Sequence, residues 1–311
     1  MFKLSAKHFL TGEELSRSEL EGLLDYADQL KKERDKGQFA HPLTGKHLAL
    51  MFEKPSLRTR MSFTVAMQEL GGATVESLSS TSKKEEPEDV ARVLAGYVHA
   101  VMIRTHEQKI LDRMVSKSPI PIINGLSDTH HPCQTLADLL TLKQRFGKLA
   151  GLKVAYVGDG NNILHSLLLL APYLGVTVTY ACPEGYEPSG FIVKKAKARA
   201  KEGGGAIRSF VKPADAVKGV NAIYTDVWVS MGFEQQEEER EKAFDGYQIN
   251  EKLHSLAAPG AIILHCLPMI RGKEITDAMA DGPHSALFQQ SENRLHAQKA
   301  LLAGLLSNGA H

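Results

Sequence analysis

The sequence is poor in cysteine, in long apolar runs and in any excess of charge. Three cysteines, Cys133, Cys182 and Cys266, lie far apart and are odd in number. That excludes a disulfide framework and points to a reducing compartment; none has the spacing of a zinc site. No apolar run reaches the ~18 residues that would span a bilayer. The opening residues, Met1 to His8, lack the apolar centre of a secretory signal. A cytoplasmic protein with no membrane contact is expected. Lys and Arg number 37 against 36 Asp and Glu, so no basic field exists for nucleic acid, and any anion site must be built locally. No GxxxxGK[ST] loop occurs, which disfavours a nucleotide phosphotransferase. Gly158-Asp159-Gly160 follows an apolar run, as a dinucleotide fingerprint would, but the third glycine position holds Ile163. NAD binding is not expected.

What is present is an alternation of strand and helix over 311 residues, a length that suggests two domains. Ser16-Arg17-Ser18-Glu19 reads as a capping box before an amphipathic helix carrying Leu20, Leu23, Leu24, Ala27 and Leu30. Strands are expected at 47–51, 74–78, 100–104 and 120–123. Helices are expected after Ser56, after Pro87, near 109–116 and from about His131-Pro132. The second half repeats the style, with strands at 153–157, 177–181, 206–210, 222–225 and 261–264, a hinge at 147–151 and a last helix at about 291–306. The segment from Trp228 to Tyr247 reads as a long connection with an acidic run, Glu237-Glu238-Glu239, in the manner of a lid or insert. The fold class is α/β, with two domains, each a parallel sheet flanked by helices.

One stretch organises the first half. The apolar run His47 to Met51 leads into Phe52-Glu53-Lys54-Pro55-Ser56-Leu57-Arg58-Thr59-Arg60, and a helical pattern follows. The chain leaves a strand, turns at Pro55 and enters a helix with Ser56 at the N-cap. Free backbone N–H groups, two hydroxyls and two guanidiniums converge on one helix N-terminus, a donor density suited to a phosphate dianion. Ligands of open parallel sheets sit beyond the carboxyl ends of the strands. The polar residues there include Arg104-Thr105 and His130 to Gln134 in the first half. In the second they include Asp159 to Asn162, Asp226 through Ser230-Met231, and His265 to Pro268. Anion donors collect in one half and amino-acid-like ligands in the other, which suggests an interdomain site where a phosphorylated donor meets a polar acceptor.

These residues resemble a carbamoyltransferase, and within that family an ornithine carbamoyltransferase. The matching pieces are Ser56-Leu57-Arg58-Thr59-Arg60, His131-Pro132-Cys133-Gln134, Gly158-Asp159-Gly160-Asn161-Asn162, Asp226 to Gly232, His265-Cys266-Leu267-Pro268 and Glu292-Asn293-Arg294. The Ser-Met-Gly and His-Cys-Leu-Pro pieces favour ornithine over aspartate as acceptor. Aspartate, putrescine and N-acetylornithine are the rival acceptors. A non-catalytic anion- or amino-acid-binding protein is the rival of another class, disfavoured because it would not need His131, Gln134 and Cys266 together.

The resemblance implies direct carbamoyl transfer from carbamoyl phosphate to the side-chain amine of L-ornithine, without metal or organic cofactor. It implies a carbamoyl-phosphate domain over 1–146, an ornithine domain over 147–287, and a C-terminal helix at about 288–311 packing back on the first. Ser56, Leu57, Arg58, Thr59, Arg60 and Arg104 would hold the phosphate, the leucine and Arg60 through their N–H groups. Arg104, His131 and Thr59 would polarise the carbonyl oxygen. Gln134, the Cys266 and Leu267 carbonyls and Arg294 would hold the carbamoyl group. Asn162, Asp226, Ser230 and Met231 would take ornithine, with Cys266 near the attacking amine. Arg104, His131, Cys266 and Asp226 are the implied catalytic set. A homotrimer with sites near subunit interfaces is also implied. The chain departs from the ornithine pattern at Leu57, where many such enzymes have threonine. The Lys83-Lys84 segment is closer to the lysine-bearing loop of aspartate carbamoyltransferases.

Overall fold

A computed structural model describes residues 2–77, 85–229 and 234–307. Leu78, Lys83, Lys84, Ser230, Met231 and Gly232 lie outside the described residues. The run that opens the first half forms strand β1 (His47–Phe52), buried at every position after the first. An element buried on both faces suits the centre of a parallel sheet. Strands β2 (Ala73–Ser77), β3 (Ala100–Arg104) and β4 (Ile122–Leu126) complete a sheet in the order β2-β1-β3-β4, with every pair parallel. Helices α1 (Arg17–Asp35), α2 (Leu57–Glu69), α3 (Pro87–Ala95), α4 (Gln108–Val115) and α5 (Pro132–Phe146) connect and flank it. The Ser16 capping box forms as its sequence predicts, and Pro87 occupies the first turn of α3.

The chain leaves β1 for β2 on one side and then crosses to β3 on the other, so β1 is the switch point of this sheet. A crevice opens there, outside the carboxyl ends of β1 and β3. Strand β4 begins two residues later than the apolar pattern predicts and continues through Asn124 and Gly125. Pro121 carries no N–H for the ladder, whereas buried Asn124 and Gly125 can follow it in strand geometry. Gly125 packs tightly against β3, where a Cβ would lie 2.4 Å from Met102 Sδ and 3.2 Å from the Ile103 carbonyl oxygen. The register between β3 and β4 shifts between Ile103 and Arg104, an irregularity of the kind that re-aims a side chain at a sheet's end.

The second half builds β5 (Lys153–Val157), β6 (Thr177–Ala181), β7 (Ala206–Phe210), β8 (Ala222–Thr225) and β9 (Ile262–His265) into a parallel sheet in the order β7-β6-β5-β8-β9. Its switch point falls between β5 and β8, the strands that deliver Asp159 and Asp226. The helices are α6 (Asn162–Leu170), α7 (Gly190–Gly203), α8 (Pro213–Val217), α9 (Glu237–Ala243), α10 (Glu251–His254), α11 (Asp277–Asp281) and α12 (Leu287–Leu306). The acidic run expected in a long loop is instead the first turn of α9, where three glutamates meet the positive end of the helix dipole.

The chain divides into two compact units, Met1–Leu140 with Glu292–His311, and Thr141–Ser291. The boundaries fall inside α5 and α12, so two helices join the units. From Glu292 onward α12 returns to the first unit. There Lys299 Nζ, with its side chain 3% exposed, pairs with Glu69 Oε2 at 2.7 Å, and Arg34 pairs with the other Glu69 oxygen at 2.7 Å. Each unit has its own core. One gathers Ala49, Met51, Val101, Ile103, Leu111 and Met114; the other gathers Val157, Ile223, Ile263, Phe244, Leu253 and Met279. Among the described residues no helix is long and apolar enough to cross a membrane.

Candidate active site

In the first unit the site grows from the N-terminus of α2. Ser56 stands at the N-cap in extended conformation and makes no side-chain cap bond. The first turn of α2, Leu57 to Arg60, carries the positive end of the helix dipole. The Ser56 hydroxyl accepts from Arg104 Nη1 at 3.2 Å, which brings the ends of β1 and β3 together. Thr59 is buried, and its Oγ1 accepts from Arg294 Nη2 at 3.1 Å. Arg294 Nη1 donates to Gln134 Oε1 at 2.7 Å and faces His131 Nε2 at 3.5 Å. Arginine carries only donors, so Nε2 is the accepting nitrogen in that contact. Gln134 in turn donates to Asp138 Oδ1 at 2.9 Å, one turn along α5.

The electrostatics follow from this gathering of cations. Burial, and then the charges of Arg294, Arg104 and Arg58, hold the His131 imidazole well below its ordinary value. His131 is therefore neutral at physiological pH, able to offer one N–H without adding charge. Burial pushes the Cys133 thiol up to about 12, with Arg294 opposing; it packs as a small apolar residue. Arg60 departs from the rest of its motif. Its Nε pairs with Glu76 at 2.6 Å, and its guanidinium lies 4.9 Å over the Phe52 ring. Only its backbone N–H belongs to the helix terminus.

In the second unit the site centres on Asp226. Its Oδ1 accepts from the Cys266 thiol at 2.8 Å and from the Val227 N–H at 2.9 Å. Its Oδ2 accepts from Asn161 Nδ2 at 2.8 Å. Asn161 also caps α6, its Oδ1 accepting from Ile163 and Leu164 N–H groups at 3.0 and 3.4 Å. Asn162 is the first residue of that helix. His265 Nδ1 accepts from the Leu267 N–H at 2.9 Å, and its Nε2 lies 3.0 Å from Glu274 Oε1. The backbone bond fixes the proton on Nε2, which donates to the buried carboxylate. Leu267 sits at φ 58, a left-handed conformation costing about 1–2 kcal/mol for a residue with a Cβ. The His265 bond holds it there.

The structure thus brings Ser56, Arg104, Thr59, His131, Gln134 and Arg294 into one cluster, with Arg58 close enough for its charge to bear on His131. It brings Asp226 to Cys266 in the other unit. The predicted Ser230 and Met231 lie outside the described residues. Sequence reasoning gave no individual role to Asn161, Asp138 or Glu274. Asn161, just before an apolar run, carried the signal of an N-cap. Asp138 lies four residues beyond Gln134 on one helix face. Nothing in the local pattern singled out Glu274.

Two parallel-sheet domains, one with a cationic helix terminus and one with a buried carboxylate–thiol pair, match a known class. Residues 7–144 match the carbamoyl-P binding domain of aspartate/ornithine carbamoyltransferase, and residues 150–305 match the Asp/Orn binding domain. The chain belongs to the aspartate/ornithine carbamoyltransferase family. Within it, the chain is 47% identical to the ornithine carbamoyltransferase of Anoxybacillus flavithermus over 98% of both sequences. The structure of ornithine carbamoyltransferase from Pyrococcus furiosus superimposes with a TM-score of 0.96 at 42% identity, covering 100% of each chain. An N-acetyl-L-ornithine transcarbamylase structure is also similar, at 30% identity and a TM-score of 0.86, covering 96% of this chain and 99% of that one.

Proposed function

We propose that this protein is an ornithine carbamoyltransferase. It transfers the carbamoyl group of carbamoyl phosphate to the side-chain amine of L-ornithine, giving L-citrulline and phosphate, in arginine metabolism. The observation that carries the reading is Asp226, a carboxylate held by the Cys266 thiol and the Asn161 amide in the part of the chain matching an Asp/Orn binding domain.

The proposed roles rest on the family resemblance, and the geometry within each unit supports part of them. The α2 terminus, Ser56, Arg58 and Arg104 take the phosphate, with the Leu57, Thr59 and Arg60 N–H groups. As the amine attacks, charge grows on the carbonyl oxygen, and Arg104, His131 and Thr59 donate to it. Donors preset for developing charge are worth about 3–4 kcal/mol each in such reactions. Arg294 and Gln134 are already bonded to one another, and we assign them, with the Cys266 and Leu267 carbonyls, to the carbamoyl amide. Asn162, Asp226, Ser230 and Met231 hold ornithine. The alkyl amine titrates free in water near ~10.4 and must lose a proton to attack. Cys266 on Asp226 is the environment we assign to that step. Direct attack needs no cofactor.

We further propose a cytoplasmic homotrimer, on the strength of the family resemblance. The test of function is citrulline formation from carbamoyl phosphate and ornithine, run beside aspartate, putrescine and N-acetylornithine. Ornithine is expected to exceed N-acetylornithine and putrescine by at least about a hundredfold in kcat/KM, because a buried carboxylate left without its α-amino partner is costly, and to exceed aspartate likewise, because aspartate has no side-chain amine to attack. A comparable rate with N-acetylornithine would overturn the acceptor assignment. No product with any acceptor would favour the non-catalytic rival.

A further inference from the structure

The Ser56–Arg104 contact joins residues 48 positions apart, and two flexible side chains do not hold such a geometry unaided. Glu53, three residues before Ser56, supplies the constraint. Its N–H donates to the Arg104 carbonyl at 3.0 Å, extending the β1–β3 ladder one step beyond the Phe52–Arg104 pair. Its carboxylate then reaches past Arg104. Oε2 accepts from Thr105 Oγ1 at 2.7 Å and from the His106 N–H at 2.7 Å. The segment it grips is tied onward to the end of β4: Thr105 N–H donates to Leu126 O at 3.0 Å, and Asp128 N–H to His106 O at 3.1 Å. Both donors to Glu53 are uncharged. By charge alone, a carboxylate so near an anion cradle opposes anion binding, so its contribution must be geometric.

We propose that Glu53 is a positioning residue for the anion cradle, locking Arg104–His106 onto the end of β1 and so fixing Arg104 against Ser56. This rests on the carbamoyl-phosphate reading above and deepens it. Because one oxygen receives both donors, Glu53→Gln can present its amide oxygen at the same point and keep the tether without the charge. Glu53→Ala removes the tether. Thr105→Val removes one of the two bonds at nearly constant shape.

The experiment measures the Kd of inorganic phosphate, KM for carbamoyl phosphate, KM for ornithine and Tm on the full chain. Glu53→Ala is expected to weaken phosphate and raise KM for carbamoyl phosphate about tenfold, with KM for ornithine little changed, since small displacements of a positioned group are costly. Glu53→Gln is expected to stay within about twofold of the parent or to bind phosphate more tightly. Thr105→Val is expected to fall between, and adding it to Glu53→Ala to cost little more, because both changes break one tether. Parent-like phosphate binding in Glu53→Ala would overturn the inference, as would Glu53→Gln failing as badly as the alanine variant. If Glu53→Ala does not fold, unchanged phosphate affinity in Thr105→Val overturns it instead. Ser56→Ala separates the two layers. Unchanged phosphate binding there sinks the cradle itself, whereas a weakened Ser56→Ala beside a normal Glu53→Ala sinks only the positioning role.

Discussion

Arg294 shows what a single residue contributes. Its guanidinium bonds Thr59 of α2 and Gln134 of α5 and faces His131, the residue just before α5. A planar fork of donors can do this; an ammonium cannot, although it keeps the charge. Arg294→Lys is therefore expected to lower kcat/KM for carbamoyl phosphate by about tenfold or more, with ornithine binding less affected. Steady-state kinetics with each substrate varied would check it, and a parent-like value would remove Arg294 from the cradle. Much of the site was legible in the sequence at this scale. Ser56, Thr59 and Asp226 follow strand ends, where ligands collect. Arg294 was reached only through family resemblance, because a lone arginine in a long helix carries no local signal. Asp138, which sets the orientation of the Gln134 amide, carried only the weak signal of its four-residue spacing from Gln134.

Among the elements, the central strands were legible because they are unbroken apolar runs. The places where reading failed have physical causes. Strand β4 waits for Pro121 and then includes Asn124 and Gly125, residues that pattern assigns to turns. Helix α9 reads as loop in the sequence because its run of charges conceals buried Arg240. The Arg240 Nη1 donates to Asp159 Oδ2 and the Trp228 carbonyl, both at 2.9 Å. The turn between β5 and α6 gives the partial glycine pattern a packing role. A Cβ on Gly160 would lie 2.3 Å from Glu187 C and Pro188 N, so the glycine serves close packing of backbone on backbone. Gly160→Ala is expected to destabilise by about 1–3 kcal/mol through overpacking and to displace Asn161 from Asp226. Chemical denaturation and KM for ornithine would report the two effects. An unchanged KM would detach this turn from acceptor binding.

For the molecule as a whole, the histidines of the first unit predict how stability follows pH. Burial, aided by Lys7, depresses His8 to about 4, and its Nδ1 accepts the Ile122 N–H at 3.1 Å. Burial likewise depresses His296 to about 4, and His131 lies well below 6.5. In each case the unfolded chain binds a proton that the folded chain refuses, so stability rises with pH across this interval. The stabilisation is present above the unfolded value of 6.5 and is lost as pH falls toward about 4. Urea midpoints between pH 7.5 and 4.5 should decline steadily; a flat profile would contradict the burial of these rings. The reading of two α/β domains with a returning last helix was legible in strand alternation and family resemblance together. The two compact units divide inside α5, whose continuous helical pattern carries no break.

That return of the last helix has a consequence for biosynthesis. Thr59 acquires its Arg294 partner from 235 positions downstream. Ribosomes deliver Ser56 to Arg60 long before Arg294. A nascent chain therefore holds Thr59 without that guanidinium until the last helix has emerged and folded back.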